Sequence, residues 1–227
     1  MPLDYPHFLV NFKRYEGTVG DAGLELARTI DAVGSRTDAT FAVAPQTPDV
    51  RLLAEETSLP IVAQSIDAVE PGRGNGEISV QAVAAAGADG VLINHPESPD
   101  TLADVEAFVA GCASFGLESI VCVDGVETGR AALAFDPDCL LFETPADIAT
   151  GRAMTRSHPE RVEAFVSMVD AENPRTRVLL GGGITDAEDV ADALERGADA
   201  AGAASAFINA EDREAWLSGV AAALLGE

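Results

Sequence analysis

Short apolar runs alternate with longer segments in which apolar residues recur at helical spacing, from one end of the chain to the other. Apolar runs without intervening polar residues are typical of strands buried on both faces of a parallel sheet, and the longer segments are typical of amphipathic helices. The pattern predicts eight strands, at 8–11, 40–44, 61–63, 90–94, 119–123, 139–142, 178–180 and 200–203. The helices it predicts between them include 21–33, 79–86, 99–114, 161–170, 186–196 and 212–225.

Eight such βα units occupy almost the whole of the 227-residue chain. This arrangement fits a closed (β/α)8 barrel better than an open doubly wound sheet, which remains the alternative. No stretch rich in Gly, Ser or Pro and no change of composition divides the chain. We therefore expect an α/β fold, a (β/α)8 barrel, with residues 1–227 forming a single domain.

Chemically active side chains stand at the ends of three predicted strands. Asn11 ends the first strand and Lys13 follows it, while His95 follows the fourth strand and Glu143 the sixth. The active site of such a barrel is built at the carboxyl ends of its strands, so these side chains are expected to converge. Alone, His95 could be a structural histidine and Glu143 a solvated acid. Their expected convergence favours a catalytic site.

Two loops of small residues follow the seventh and eighth strands. They are residues 181–185, with the sequence GGGIT, and residues 204–206, with the sequence ASA. The corresponding loops of (β/α)8 barrels bind phosphate through backbone N–H groups. The glycines could also serve only a tight turn. Thr185 or Asp186 is expected to cap the helix that follows.

Lys13 is the single lysine of the chain, beside thirteen arginines. An ammonium is compact and its pKa can be tuned, whereas a guanidinium is broad, planar and permanently charged. Lys13 could be a chance surface residue. Combined with a carboxylate base, an imidazole and phosphate-binding loops, however, it predicts proton abstraction beside the carbonyl of a small phosphorylated substrate. The ammonium would then stabilise the developing enediolate.

The net charge of −24, from 38 acidic and 14 basic residues, is spread along the chain. Nucleic acids and anionic membranes are bound by clustered Lys and Arg, so neither is expected as a partner. We interpret the acidic residues as the solvated coat of a protein from a salt-rich cytoplasm. No secretory signal and no apolar stretch of roughly 18 residues is present, and we expect a cytoplasmic location.

The remaining candidates for chemistry are cysteines and histidines. Cys112, Cys122 and Cys139 lack metal-binding spacing and are odd in number, so we expect three buried free thiols. His7 and His158 do not lie at the carboxyl end of a predicted strand and are expected at the surface. We expect neither a metal nor a cofactor.

Further motifs extend along nearly the whole chain. They are Asn11-Phe12-Lys13, Ala44-Pro45-Gln46, Ala63-Gln64, residues 74–79 (GNGEIS), Asn94-His95, Glu97, Glu143 with Pro145, Ile148 to Gly151, and residues 181–184 (GGGI). Each is weakly specific alone. In this order and spacing they resemble the triosephosphate isomerase family, in its short archaeal type.

The resemblance implies that Glu143 abstracts the proton between C1 and C2, while neutral His95 donates to the carbonyl oxygen. Lys13 and Asn11 would stabilise the enediolate formed between glyceraldehyde 3-phosphate and dihydroxyacetone phosphate. Segment 144–152 would be a lid over the site. Backbone N–H groups would bind the phosphate at Ala149, Gly182, Gly183, Ala204 and Ser205.

By the same resemblance, the loop around Asn75 would reach into the site of a neighbouring subunit, as part of a homodimer or homotetramer. Gln64 and Glu97 would support the site, with Glu97 in a polar network that holds Lys13. Alternatively, Glu97 could be an acid in the first turn of a helix, favoured by the helix dipole.

Four positions depart from the family pattern. The family usually has Ser, Pro, Gly and Thr where this chain has Pro96, Thr144, Ala149 and Asn75. None of these changes removes an acid, a base or a charge. They leave open two alternatives, an isomerase of another short phosphorylated sugar and a non-catalytic phosphate-binding barrel.

Overall fold

Eight parallel strands form the barrel in a computed structural model that describes residues 3–144 and 152–227. They are β1 His7–Asn11, β2 Thr40–Ala44, β3 Val62–Ala63, β4 Gly90–Ile93, β5 Glu118–Val123, β6 Cys139–Phe142, β7 Arg177–Leu180 and β8 Ala200–Ala203. Their order is β2-β1-β8-β7-β6-β5-β4-β3. A parallel bridge between Val43 and Ile61 joins the two outer strands, so the sheet closes and the open-sheet alternative is wrong.

The helices of the described residues lie between the strands. They are α1 Gly20–Thr37, α2 Val50–Glu56, α3 Val80–Ala85, α4 Leu102–Phe115, α5 Val126–Leu133, α6 Met154–Ser157, α7 Pro159–Glu172, α8 Ala187–Glu195, α9 Ser205–Ile208 and α10 Arg213–Leu225. The six predicted helices are present with shifted ends. The other four, α2, α5, α6 and α9, are not among the helices named above and have eight residues or fewer.

Successive residues of each strand pack into two separate apolar layers. In β1, Phe8 and Val10 belong to the layer between barrel and helices, whereas Leu9 belongs to the layer inside the barrel. Because both faces are buried, the strands are apolar except near their ends, as predicted. The three cysteines are free and buried, as predicted, and two of them, Cys122 and Cys139, lie in the inner layer.

His7 is fully buried, so its predicted surface position is wrong. Residues 3–6 lie against the amino-terminal end of the barrel, where the Leu3 N–H donates to buried Glu118 over 2.7 Å. The His7 ring is enclosed beneath them, with Nδ1 3.1 Å from the Asp4 carbonyl oxygen. His158 is half-buried at the start of α7.

None of the helices in residues 3–144 and 152–227 combines the length and the apolar composition required to cross a membrane.

Candidate active site

A cavity of about 410 Å³ opens at the carboxyl ends of the strands. It brings together eight of the residues predicted for the site, which are Asn11, Lys13, His95, Glu143, Gly182, Gly183, Ala204 and Ser205. Ala149 and most of the predicted lid fall outside the described residues. The predicted strand ends and the two loops of small residues thus line one cavity, while the roles of these residues stay predictions.

Lys13 leaves β1 through a left-handed turn, with a φ of 44°. The Asn11 side-chain oxygen accepts the Lys13 N–H over 2.9 Å, and the Gln64 amide donates to the Lys13 carbonyl oxygen over 3.2 Å. The ammonium lies 2.6 Å from a carboxylate oxygen of Glu97. This ion pair lowers the pKa of Glu97. Both backbone groups of Lys13 and its charge are thus held by neighbouring side chains.

The loop from Asn94 to Asp100 fixes His95 and Glu97. The Asp100 carboxylate accepts the Asn94 N–H over 2.6 Å, and the Asn94 side-chain oxygen accepts the Asp100 N–H over 3.1 Å. Within the loop, Ser98 N–H donates to the His95 carbonyl over 2.7 Å, which places Pro96 in a tight turn. Glu97 lies in the same turn and not in a helix, because α4 begins only at Leu102. The helix-dipole explanation of Glu97 is therefore wrong.

His95 is held as a neutral imidazole. Its Nδ1 accepts the Glu97 backbone N–H over 3.1 Å, which assigns the ring proton to Nε2. Burial, aided by the positive charge of Lys13, lowers the pKa of His95 to about 4. The protonated Nε2 points into the cavity, 3.2 Å from Oε1 of Glu143.

Glu143 follows β6 and is 6% exposed. Burial raises the pKa of its carboxyl to about 7, and the nearby Lys13 ammonium offsets part of that rise. No described residue makes an aligned hydrogen bond to Oε1, so its closeness to His95 is a contact without a formed hydrogen bond. A buried carboxylate with few partners is a stronger base than one in water.

Gly181 makes room for this carboxylate. A Cβ at position 181 would lie 2.9 Å from Oε2 of Glu143 and 3.1 Å from the Leu141 side chain. Gly181 was predicted only as part of the phosphate-binding loop, and its closeness to Glu143 was not predicted. This closeness follows from the register in which β6 pairs with β7.

The loop after β7 requires glycine at two further positions. Gly182 and Gly183 have φ values of 72° and 77°, and a Cβ at 183 would lie 2.0 Å from the Arg152 carbonyl oxygen. The backbone N–H groups of Gly182, Gly183 and Ala204 donate to no other described residue. Within the described residues these donors have no acceptor, and they belong to loops that line the cavity, where an anion could bind.

The start of α8 completes this loop. Of the two predicted caps, Asp186 is the one that accepts a helix N–H, from Asp189 over 3.0 Å. Thr185 lines the cavity instead. Two further lining residues, Tyr15 and Asn209, were not predicted, because nothing in their local sequence distinguishes them.

Gln64 supports the site from behind. Its side-chain amide donates to the Asn11 side chain over 3.3 Å and to the Ala44 carbonyl oxygen over 2.9 Å. Gln64 lines a second cavity of about 440 Å³ beside Lys13, His95 and Glu97. Asn75 is exposed and lines neither cavity.

Comparisons with known proteins agree with this geometry. The chain matches the family model described as Triosephosphate isomerase over residues 6–221. The triosephosphate isomerase of Methanocaldococcus jannaschii is 38% identical over 206 residues, which are 91% of this chain and 94% of the relative. That of Archaeoglobus fulgidus is 39% identical over 91% of this chain and 92% of the relative.

The likeness extends to the fold of a distant structure. A crystal structure of triosephosphate isomerase from Bartonella henselae covers 96% of this chain and 98% of its own, with a TM-score of 0.76 at 18% identity. At that identity the likeness concerns the fold alone. The family match and the archaeal relatives, both over most of the chain, carry the assignment: this chain belongs to the triosephosphate isomerase family.

Proposed function

We propose that Glu143, His95, Lys13 and Asn11 catalyse the interconversion of glyceraldehyde 3-phosphate and dihydroxyacetone phosphate through an enediolate. The chain is an intramolecular aldose–ketose isomerase by family membership. The observation that supports these residue roles is the 3.2 Å approach of His95 Nε2 to Glu143 Oε1 inside the cavity. An acid and a base that act on adjacent oxygen and carbon atoms of one substrate must both face the same small space, as these two side chains do.

Glu143 is the base. A carboxyl whose pKa is raised to about 7 holds and releases a proton near neutral pH, which suits a group that takes a proton from one carbon and returns it to the next. Its buried position also keeps water from competing for that proton. The carboxylate touches the cavity beside Gly181, where the reacting carbons would lie.

His95 is the electrophile and proton shuttle. Because its Nδ1 is occupied by a backbone N–H, the neutral ring has its proton on Nε2 and can donate that proton to the substrate carbonyl. With a pKa of about 4, the ring stays neutral above about pH 5. It can therefore donate to one substrate oxygen and recover a proton from the other.

Lys13 and Asn11 stabilise the negative charge that develops on those oxygens. Among the described residues that line the main cavity, Lys13 is the one cation. An ammonium fixed beforehand in a water-poor cavity stabilises developing charge more strongly than water does. Asn11 keeps the Lys13 backbone in its left-handed turn and presents its own amide to the same cavity.

The phosphate group binds at the loops that follow β7 and β8. In this proposal the N–H groups of Gly182, Gly183, Ala204 and Ser205 are the donors, and Ala149, which lies outside the described residues, is a further donor by family resemblance. These donors are neutral, so the phosphate group is held by hydrogen bonds and local dipoles.

The assembly and setting of the enzyme are part of the proposal. Residues 1–227 form a single domain that works in a salt-rich cytoplasm, in glycolysis and gluconeogenesis. Two or four copies associate, with Asn75 of each exposed loop reaching the second cavity of a neighbour. The exposed position of residues 67–77 and the 440 Å³ cavity lined by Gln64 and Glu97 support this arrangement.

A coupled assay on the purified protein tests the reaction. We expect turnover of glyceraldehyde 3-phosphate that falls by about a thousandfold or more in Glu143→Gln, which keeps the shape of the side chain and removes the base. Glu127→Gln, a change at an exposed acid on α5, is the matched control. Turnover of a four-carbon sugar phosphate alone would assign the site to another substrate. Binding of 2-phosphoglycolate without any turnover would indicate a non-catalytic barrel.

A further inference from the structure

A buried carboxylate lies directly behind the phosphate-binding loop. Asp189, in the first turn of α8, is 1% exposed. One of its oxygens accepts both the backbone N–H and the hydroxyl of Thr185, each over 2.8 Å. Thr185 itself lines the main cavity. A buried negative charge one residue away from the wall that receives a phosphate would repel that phosphate, unless a cation compensates it.

Arg156, on α6, is the cation at this position. Its Nε lies 2.6 Å from the second oxygen of Asp189, and one terminal nitrogen lies 2.9 Å from Asp186. The Nε contact is ionic, because no described residue makes an aligned hydrogen bond to that Asp189 oxygen. Arg156 does not line the cavity. Its influence on a ligand must therefore pass through Asp189.

We propose that Arg156 is a positioning residue of the phosphate site, which compensates the charge of Asp189 so that this carboxylate can hold Thr185 without repelling the substrate. The inference rests on the proposed function, because it takes the wall at 181–186 as the phosphate site. It adds to that function a residue outside the cavity that sets the affinity for the anion.

Two further contacts support this role. The Thr185 carbonyl oxygen accepts the Trp216 indole N–H over 2.8 Å, so Thr185 is held from both sides and can move little if Asp189 loses its partner. The chain just before α6 also touches the same loop, since a Cβ at Gly183 would lie 2.0 Å from the Arg152 carbonyl oxygen. Arg156 thus joins two segments that already pack together at the phosphate wall.

Arg156 is the one cation in contact with Asp186, Glu188 and Asp189 among the described residues. Three acids lie around its guanidinium, because Glu188 is 3.6 Å away in addition to Asp186 and Asp189. Asp186 and Glu188 are half-exposed or more and are screened by water, whereas Asp189 is buried. Removal of Arg156 therefore leaves an uncompensated charge chiefly at Asp189.

Binding of 2-phosphoglycolate by calorimetry, together with kcat and KM for glyceraldehyde 3-phosphate, tests the inference. We expect Arg156→Met to raise the dissociation constant and KM about tenfold and to change kcat by less than about twofold. Arg156→Lys keeps the charge and should retain most of the affinity. Arg156→Met combined with Asp189→Asn should restore affinity to within about threefold, because no buried charge is then left without a partner and the remaining acids, Asp186 and Glu188, are screened by water.

Arg196→Met is the matched control, since Arg196 forms an ion pair at the other end of α8, 2.5 Å from Glu163 and away from the cavity. Circular dichroism at the assay temperature establishes that each variant is folded. Equal affinity in Arg156→Met and the wild type would overturn the inference and leave the proposed function intact. Failure of the double variant to recover affinity would also overturn it. A wild type that neither binds 2-phosphoglycolate nor turns over glyceraldehyde 3-phosphate would overturn both.

Discussion

At the scale of single residues, Lys13 is held by three independent constraints. The Asn11 side chain accepts its N–H, the Gln64 amide donates to its carbonyl oxygen and Glu97 pairs with its ammonium. Its side chain is only 16% exposed, so the charge lies at the wall of the cavity and is poorly screened by water. The position therefore selects for the size of the cation as well as for its charge.

Lys13→Arg keeps the charge and changes the shape. A guanidinium is broader than an ammonium and cannot occupy the 2.6 Å contact with Glu97 without displacing its surroundings. We expect kcat to fall about a hundredfold, as when a preorganised charge-stabilising group is lost. Steady-state kinetics measures this loss, with Arg28→Lys on the exposed face of α1 as the control for an exchange of the two cations. Full activity in Lys13→Arg would show that any cation suffices here.

At the scale of secondary-structure elements, the strands and the convergence of their carboxyl ends were predictable, whereas the individual contacts between loops were not. Burial on both faces makes the middle of each strand a continuous apolar run, so predicted and observed strand ends agree within one residue. The position of His7 depended on residues 3–6 folding against the barrel, which no local pattern records. Likewise, the 3.2 Å contact between His95 and Glu143 depends on the curvature of the whole barrel.

The loop after β7 packs closely against the chain before α6, and this packing requires glycine at position 183. Gly183 combines a left-handed φ of 77° with a backbone approach that leaves no space for a side chain, since its Cβ would lie 2.0 Å from the Arg152 carbonyl oxygen. A Gly183→Ala variant must therefore separate the loop from the chain that precedes α6. We expect a loss of stability of about 2 kcal/mol or more and a higher KM for the phosphorylated substrate.

A Gly226→Ala variant separates the effect of backbone strain from the effect of the clash with Arg152. Gly226 has a similar φ of 72° with no atom within 4 Å of its Cβ position, so its substitution adds backbone strain without a clash. Thermal unfolding and KM should both change more in Gly183→Ala than in Gly226→Ala. Equal unfolding temperatures, with KM unchanged in both, would mean that the loop can move away from Arg152 at no cost.

At the scale of the whole molecule, the substrate and the protein have the same sign of charge. The net charge is −24, and the described lining of the main cavity contains the single cation Lys13. Eight of the thirteen arginines form ion pairs with acids among the described residues, as Arg28 does with Glu25 and Glu56, and these contribute little to a long-range attraction. A phosphorylated substrate therefore approaches through a repulsive field, which added salt weakens.

This repulsion predicts that kcat/KM for glyceraldehyde 3-phosphate rises with added KCl. The Debye length falls from about 10 Å at 0.1 M to about 3 Å at 1 M, so charges at the distant surface cease to act on the approaching anion. Unphosphorylated glyceraldehyde is the matched control, because a neutral substrate feels no such field. Its kcat/KM should stay nearly constant over the range in which circular dichroism reports a folded protein. If salt instead lowers kcat/KM for the phosphorylated substrate alone, the local charge of Lys13 governs the encounter and the acidic surface does not.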